Sequence, residues 1–147
     1  MTDPSPPPLA SAASRPLLEA LRGLITQARQ KLLRQVDVVQ VQTYWHIGRH
    51  IVEFEQGGLA RAAYGKRLLP ELGKALSLEF GKGFDASNLR YMRLFYQAFP
   101  KCDALRHELS WTHYRLLLRV EAQGARQWYM QEAATQNWST RVLERHL

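Results

Sequence analysis

Apolar residues recur every three or four positions along most of this chain, the spacing that places them on one face of an α-helix. The first such run extends from Pro16 to about Gln56, and its stripe drifts around the helix. Its apolar positions are Leu17, Leu21, Leu24, Ala28, Leu32, Val41, Tyr44, Gly48 and Ile51. Between residues 36 and 43, however, β-branched residues partly alternate with polar ones. A strand or a helix break near residues 34–37 is therefore the alternative to one long helix.

A second helix is predicted from about Ala60 to Phe80, since leucines and the final phenylalanine are spaced by four from Leu68 onward. Pro70 lies inside this segment. Proline removes one backbone donor and clashes with the preceding helical turn. The sequence therefore predicts either a kink at Pro70 or a helix whose first turn begins just before it.

Further helical spacing follows a loop over residues 101–109. Ser110 is placed to cap one helix, another is predicted over residues 125–136, and Ser139 with Thr140 can cap a last one. Together these patterns predict an all-α, multi-helix domain over residues 16–147 with a long N-terminal helix. Residues 1–15 are rich in proline and predict a flexible tail.

The segment 81–100 carries its own start and stop signals. Gly81 and Gly83 can adopt the positive φ values that end one helix and turn the chain, Asp85 can cap the next, and Pro100 prevents its continuation. The predicted helix runs from about residue 86 to 99. Because it follows another helix across a short glycine turn, the unit has the form of a helix-turn-helix whose second helix can enter a DNA major groove.

This predicted helix has two faces. One is apolar and consists of Leu89, Met92, Tyr96 and Phe99, whereas Arg90, Arg93 and Gln97 recur at helical spacing elsewhere on the surface. Residues 86–101 contain three basic side chains and no acidic one. The whole chain has 20 Lys and Arg against 13 Asp and Glu, a formal charge of +7 that favours a polyanionic partner.

The candidate DNA contacts lie on or beside this helix. Arginine can pair with guanine and asparagine with adenine, so base edges and phosphates are the predicted partners of Asn88, Arg90, Tyr91 and Arg93, with Gln97 on the same donor face. Lys82, in the turn, is predicted to meet a phosphate. The alternative is an ordinary amphipathic helix whose arginine face is only solvated.

Other residues with reactive side chains carry weaker signals. His46, His50 and Glu53 fall along one helix face, but no zinc-protease spacing accompanies them, so neither a metal nor a cofactor is predicted. No nucleophile or carboxylate stands at a recognisable spacing from His113, so no catalytic role is predicted for it. Trp111 is predicted to be a core anchor at the start of its helix, and His113 is predicted to lie near an exposed turn.

Cellular setting is inferred from what the sequence lacks. Cys102 is the single cysteine, so no intramolecular disulfide can form. The N-terminus has neither the basic start nor the apolar run of a signal peptide, and no stretch has the length of a membrane span. A cytoplasmic protein without a membrane partner is predicted.

Several short motifs occur in one order along roughly residues 20–147, and together they resemble the N-terminal domain of the YhcG-like nucleases, bacterial proteins of the PD-(D/E)XK superfamily. The motifs are Tyr44-Trp45-His46-Ile47-Gly48, Tyr64-Gly65-Lys66, Gly81-Lys82-Gly83-Phe84, Asn88 through Tyr96, Leu109-Ser110-Trp111-Thr112-His113 and Trp138-Ser139-Thr140-Arg141. The resemblance implies an all-helical module that binds DNA beside a C-terminal nuclease domain.

Catalysis is not expected from this chain. A PD-(D/E)XK site needs an acid followed later by Glu or Gln, one further residue and Lys, and no such triplet occurs in the sequence. We therefore predict a module that binds duplex DNA without cutting it. The alternative is an interaction module, in which the long helix and the tryptophan-rich C-terminal helices pair with a second copy or with a separate nuclease subunit.

Overall fold

The structure is a computed structural model that describes residues 14–57 and 65–147. Over these residues the chain forms α-helices joined by turns, without a strand. The α-helices are α1 (Arg15–Glu55), α2 (Leu68–Phe80), α3 (Ala86–Ala98), α4 (Trp111–Leu117), α5 (Gln123–Thr135) and α6 (Thr140–His146), and short 3-10 turns cover Gly65–Arg67 and Cys102–Ala104. The predicted all-α fold is confirmed. Most of the predicted tail, residues 1–13, lies outside the described residues.

The chain divides into two compact units, one ending at Val36 and the other comprising Asp37–Leu147. Helix α1 is nevertheless continuous from Arg15 to Glu55, so the strand or break considered near residues 34–37 does not occur. Within the second unit the buried residues of α1 keep helical spacing, so tertiary packing supports the helix from Val41 onward. They are Val41, Tyr44, Trp45, Gly48, Ile51 and Val52.

Pro70 lies in the first turn of α2, which begins at Leu68. The first backbone N–H groups of a helix have no partner within it, so proline at this position removes no helical hydrogen bond. Of the two predicted arrangements, the structure has the helix that starts just before Pro70. The helix was predicted to start near residue 60, but Gly65–Arg67 form a 3-10 turn and the α-helix begins only after it. Residues 58–64 lie outside the described part of the chain.

The turn between α2 and α3 depends on glycine in two ways. Gly81 and Gly83 have φ values of 85° and 100°, the left-handed region in which glycine is not strained, as predicted. Gly73 lets α2 approach the start of α3, since a Cβ there would lie 2.8 Å from the backbone nitrogen of Ala86. Helix α3 ends at Ala98, one residue before the predicted end.

Helix α3 forms the centre of the core of the second unit. Leu89, Met92, Phe95 and Phe99 are completely or almost completely buried. Helix α1 crosses α3 at Gly48, where a Cβ would overlap the carbonyl oxygen of Met92. The inner face of α3 is thereby fixed, and its opposite face is left at the surface.

Aromatic side chains join α4 to this core. The ring of Tyr114 lies 4.8 Å from that of Phe95, and the ring of Trp111 lies 5.0 Å from that of Tyr44. The Tyr114 hydroxyl accepts a hydrogen bond of 2.7 Å from the backbone N–H of Arg106. Burial is the main cause that raises the pKa of Tyr114 to about 12, because an apolar environment disfavours the phenolate. Tyr114 is thus a neutral core residue whose hydroxyl anchors the preceding loop.

Candidate nucleic-acid interface

The outer surface of α3 forms a ridge of exposed residues, Ser87, Arg90, Leu94 and Gln97. Leu94 is 43% exposed between the two polar side chains Arg90 and Gln97, and α3 contains no acidic residue. The predicted division of this helix into a buried face and a donor face is confirmed for Arg90 and Gln97. The ridge offers hydrogen-bond donors around an apolar centre.

Tyr91 and Arg93 mark the two flanks of this ridge. With about 100° between successive residues of an α-helix, they lie roughly 160° apart around its axis. On one flank the guanidinium of Arg115 covers the Tyr91 ring, 4.4 Å from the ring centroid. On the other, Nη1 of Arg93 donates to Oε2 of Glu55 at 2.9 Å. Each flank of the ridge therefore carries a cation: Arg115 of α4 on the Tyr91 side, and Arg93 itself, paired with Glu55 of α1, on the other.

A groove of about 660 Å³, here called the Lys82 groove, opens beside the Tyr91 flank. Its wall carries the cationic side chains of Lys82 and Arg115 and the hydroxyls of Ser87 and Thr112. Two carboxylates also line it, those of Asp37 and Asp85. Asp85 occupies the N-cap of α3, as predicted, although its side chain forms no capping hydrogen bond. The groove is mainly polar, its two cations are matched by two carboxylates, and it offers several donors to a hydrogen-bonding ligand.

A second groove of about 480 Å³, here called the Arg90 groove, lies on the opposite flank. It is lined by Lys66, Arg90 and Arg93, with Glu55 as its single acidic side chain and the start of α2 beneath. The ridge of α3 is therefore bordered on both sides by grooves that present basic side chains.

Comparison with known proteins identifies the family. Residues 20–147 match the family described as DUF1016 N-terminal domain. The chain belongs to this family. The protein called "Putative nuclease YhcG" in Escherichia coli (strain K12) is 47% identical over 93 residues, which are 63% of this chain and 25% of that relative. The chain thus matches only about a quarter of the relative's length, and no solved structure matches it. The resemblance inferred from the motifs is confirmed.

In this DUF1016 N-terminal domain, Asn88 holds the turn before α3 together. It is 8% exposed, its Nδ2 donates to the carbonyl of Gly83 at 2.5 Å, and its Oδ1 accepts from Nε1 of Trp111 at 3.0 Å. Both ends of the amide are engaged inside the protein, and little of the side chain is exposed to contact a base. Asn88 therefore serves the fold, and it is not among the DNA contacts that we propose.

His113 is buried, contrary to the prediction that it lies near an exposed turn. Its Nδ1 accepts from the backbone N–H of Ser110 at 3.0 Å, and its Nε2 donates to the carbonyl of Trp138 at 2.8 Å. The prediction was wrong because His113 completes a capping box with Ser110 and joins α4 to the segment before α6. Trp111 is buried at the start of α4, as predicted.

Of the three α1 residues considered as metal ligands, Glu53 and His46 are separately engaged. Glu53 forms an ion pair of 2.8 Å with Arg49, and His46 packs edge-on against Trp45. Within residues 14–57 and 65–147 no group of three His, Cys, Asp or Glu side chains is placed to hold a metal ion. In the same described part, no helix is long and apolar enough to cross a membrane.

Lys66 and Arg115 are groove residues that were not among the predicted site residues. Lys66 was visible only as the last position of the motif Tyr64-Gly65-Lys66, and Arg115 lies four residues after Trp111 without a motif of its own. Their proximity to α3 follows from the packing of α2 and α4 around it. Of the predicted residues, the structure places Lys82 in one groove, Arg90 and Arg93 in the other, and Tyr91 and Gln97 beside the ridge or on it.

Proposed function

We propose that this domain binds duplex DNA by placing the ridge of α3 in the major groove. The observation that carries the proposal is the arrangement of the ridge, which presents Arg90 and Gln97 between two grooves lined with basic side chains. A major groove is wide enough for an α-helix and is bordered by a row of phosphates on each side. A donor ridge with cations on both flanks is complementary to that surface.

The ridge has the chemistry to contact base edges. Arginine pairs with the O6 and N7 atoms of guanine, glutamine can pair with adenine, and an apolar side chain can contact the methyl group of thymine. These three groups are supplied by Arg90, Gln97 and Leu94, respectively. Helix α2, the turn 81–85 and α3 would then act as a helix-turn-helix, with α3 as the reading helix.

The flanking grooves supply the positioning contacts. On one side Lys82 and Arg115, with the hydroxyls of Ser87 and Thr112, would contact phosphates of one strand. On the other side Lys66 and Arg93 of the Arg90 groove would contact the second strand. Contacts of this kind fix the register of a protein on DNA and make its affinity fall with salt.

The relative named as a putative nuclease suggests what the module serves. We propose that it carries a PD-(D/E)XK nuclease domain to DNA in longer proteins, because the resemblance covers an N-terminal domain and this sequence has no Glu-x-Lys or Gln-x-Lys triplet. In this proposal the chain itself binds DNA and leaves cleavage to the other domain.

A direct test is titration of a labelled duplex with the purified chain over a series of salt concentrations. We expect Lys82→Ala combined with Arg115→Ala to weaken binding and to make the salt dependence shallower. The log–log slope should change by about 0.9 for each phosphate that the variant no longer neutralises. Absence of duplex binding by the parent chain at low salt would refute the proposal.

A second candidate is protein association, and one observation favours it. In the unit that ends at Val36, many large apolar side chains of α1 are exposed. They are Leu17, Leu21, Leu24, Ile25, Leu32, Leu33 and Val36. Burial of such a stripe against another helix, from a second copy or a separate nuclease subunit, would remove it from water.

Sedimentation of the full chain over a range of concentrations tests whether the exposed stripe pairs with a second copy of this chain. We expect a dimer that Leu21→Gln combined with Ile25→Gln dissociates, since both changes fall within the exposed stripe. A monomer at every concentration would exclude self-association.

A further inference from the structure

The Arg90 groove has an imbalance of charge that the fold does not use. Three basic side chains, Lys66, Arg90 and Arg93, face one carboxylate, that of Glu55. Within the described part of the chain, Lys66 and Arg90 take part in no ion pair, and Arg93 pairs with Glu55 at 2.9 Å. The groove therefore holds an excess of two positive charges around a cavity open to solvent.

We infer that the Arg90 groove is a binding site for a DNA phosphodiester. In the absence of DNA the Glu55 carboxylate is paired with Arg93, and a bound phosphate takes the place of that carboxylate. The inference rests on the proposed DNA-binding function and adds a specific contact to it. A carboxylate and a phosphate both present oxygen acceptors that a guanidinium can bind with parallel N–H groups. The Glu55 carboxylate thus stands where a phosphate oxygen would be bound.

The exposure of the ion pair makes this exchange feasible. The side chains of Arg93 and Glu55 are 27% and 34% exposed, so both remain partly hydrated when paired. Ion pairs in such positions contribute little to stability, and opening one leaves neither charge buried without a partner. Lys66 needs no such release. A phosphate entering the groove would meet Lys66 first, attracted also by the charge of Arg90 on the adjoining ridge, and would then compete with Glu55 for Arg93.

Glu55 accordingly acts against DNA affinity in two ways. Its negative charge repels the phosphate, and its hydrogen bond occupies Arg93. Replacement of Glu55 by the nearly isosteric glutamine should relieve both effects while preserving the length of the side chain. Because the second effect operates through Arg93, part of the gain should disappear when Arg93 is absent.

The experiment uses the full chain and a labelled duplex of fixed length in a salt series. We expect Glu55→Gln to raise affinity about five- to tenfold at low salt, as expected when a like charge is removed close to a bound phosphate. Lys66→Ala should lower affinity and make the log–log salt slope shallower by about 0.9. In an Arg93→Ala background, the gain from Glu55→Gln should fall to less than half.

Glu144→Gln is the matched control, since it removes the same charge from an exposed ion pair, with Arg119 at 3.6 Å, that lines neither groove. Melting temperatures of all variants should remain close to that of the parent. Equal gains from Glu55→Gln and Glu144→Gln would overturn the inference, because overall charge would then explain both. If Glu55→Gln raises duplex affinity as much in the Arg93→Ala background as in the parent, phosphate does not replace Glu55 at Arg93 and that part of the inference is wrong.

Two further outcomes separate this site from the proposed function. If Lys82→Ala with Arg115→Ala weakens duplex binding while Lys66→Ala and Glu55→Gln do not change it, the domain binds DNA but not through the Arg90 groove. If the parent binds no duplex, both proposals fail together. Calorimetry with inorganic phosphate alone should show no saturable binding; saturable binding that disappears in Lys66→Ala would indicate a free-anion site instead and contradict the assignment.

Discussion

At the scale of single residues, Asn88 illustrates how a polar side chain on a candidate reading helix can serve the fold. From the sequence, its position in the first turn allowed either a base contact or a local polar role. The structure shows bonds to Gly83 and Trp111, residues that precede and follow it in different elements. Helical spacing assigns a residue to a face, but it cannot show that an indole N–H from a later helix will reach the same amide.

We expect Asn88→Ala to destabilise the domain. The change leaves the Trp111 Nε1–H and the Gly83 carbonyl without their partner, and a buried unsatisfied group costs about 1–3 kcal/mol. Urea denaturation followed by tryptophan fluorescence measures the difference. A midpoint equal to that of the parent would contradict the structural role of Asn88.

Tyr114 gives a prediction for alkaline pH. Its pKa is raised to about 12 in the folded chain, above the ordinary value of 10.0, because burial disfavours the phenolate. The unfolded chain therefore loses this proton first as the pH rises. The stabilising contribution is fully present below about pH 10 and is lost between about pH 10 and 12, at about 1.4 kcal/mol for each pH unit within that interval.

Stability measured by urea denaturation between pH 9 and 11 should therefore fall more steeply for the parent than for Tyr114→Phe. The phenylalanine variant keeps the ring but has no proton to lose. The same pH dependence in both proteins would show that Tyr114 does not control this region.

At the scale of elements, the helical spacing predicted α3 and the glycines predicted the turn before it, whereas two arrangements were left open for Pro70, of which the structure has the helix that begins just before it. The alternative of a strand or break in α1 remained open because valines favour strands when considered alone. In the structure α1 is one continuous helix, and its later part packs directly on the backbone of α3 at Gly48, where the missing Cβ allows the close approach. Close approach of two helices is a tertiary property, and no spacing within α1 could reveal it.

We expect Gly48→Ala to destabilise the domain by about 1–3 kcal/mol, the usual cost of forcing extra volume into a packed contact. Gly23→Ala is the control in the same helix, because a Cβ at Gly23 meets no atom within 4 Å. Alanine is the better helix former, so the control should gain about 0.5–1 kcal/mol. Thermal and urea denaturation of both variants should move in opposite directions; equal behaviour would refute the close helix contact.

At the scale of the whole molecule, the charge of +7 predicted a polyanionic partner, and the ordered motifs predicted the family. The two grooves could not be predicted, because each joins residues that are far apart in the chain. Lys66 and Arg93 line one groove at the start of α2, and Lys82 and Arg115 line the other at the start of α4. The candidate interface is therefore a product of helix packing around α3.

No nuclease activity is expected from this chain alone, since its sequence lacks the lysine triplet of a PD-(D/E)XK site. Incubation of purified protein with plasmid DNA and Mg²⁺ or Mn²⁺ should leave the plasmid intact. Cleavage that copurifies with the protein and disappears when an acidic residue of the chain is replaced would contradict the expectation.

The most direct measurement is duplex affinity, over a salt series, of the double variant Arg90→Ala with Arg93→Ala. Its control is Arg119→Ala with Arg141→Ala, which removes the same charge from exposed positions that line neither groove. If both α3 arginines contact phosphates, the first variant should bind more weakly, with a log–log slope shallower by roughly 1.8. If Arg90 reads a base instead, the loss should fall mainly on preferred sequences, at about 1–3 kcal/mol.

In either case the control should bind nearly as the parent does, and both variants should keep the parent's melting temperature. Weaker binding confined to the α3 variant is the predicted result. Equal binding by the parent and the α3 variant, across salt and sequence and with the fold intact, would show that the ridge of α3 is a solvated surface and not a DNA-binding one.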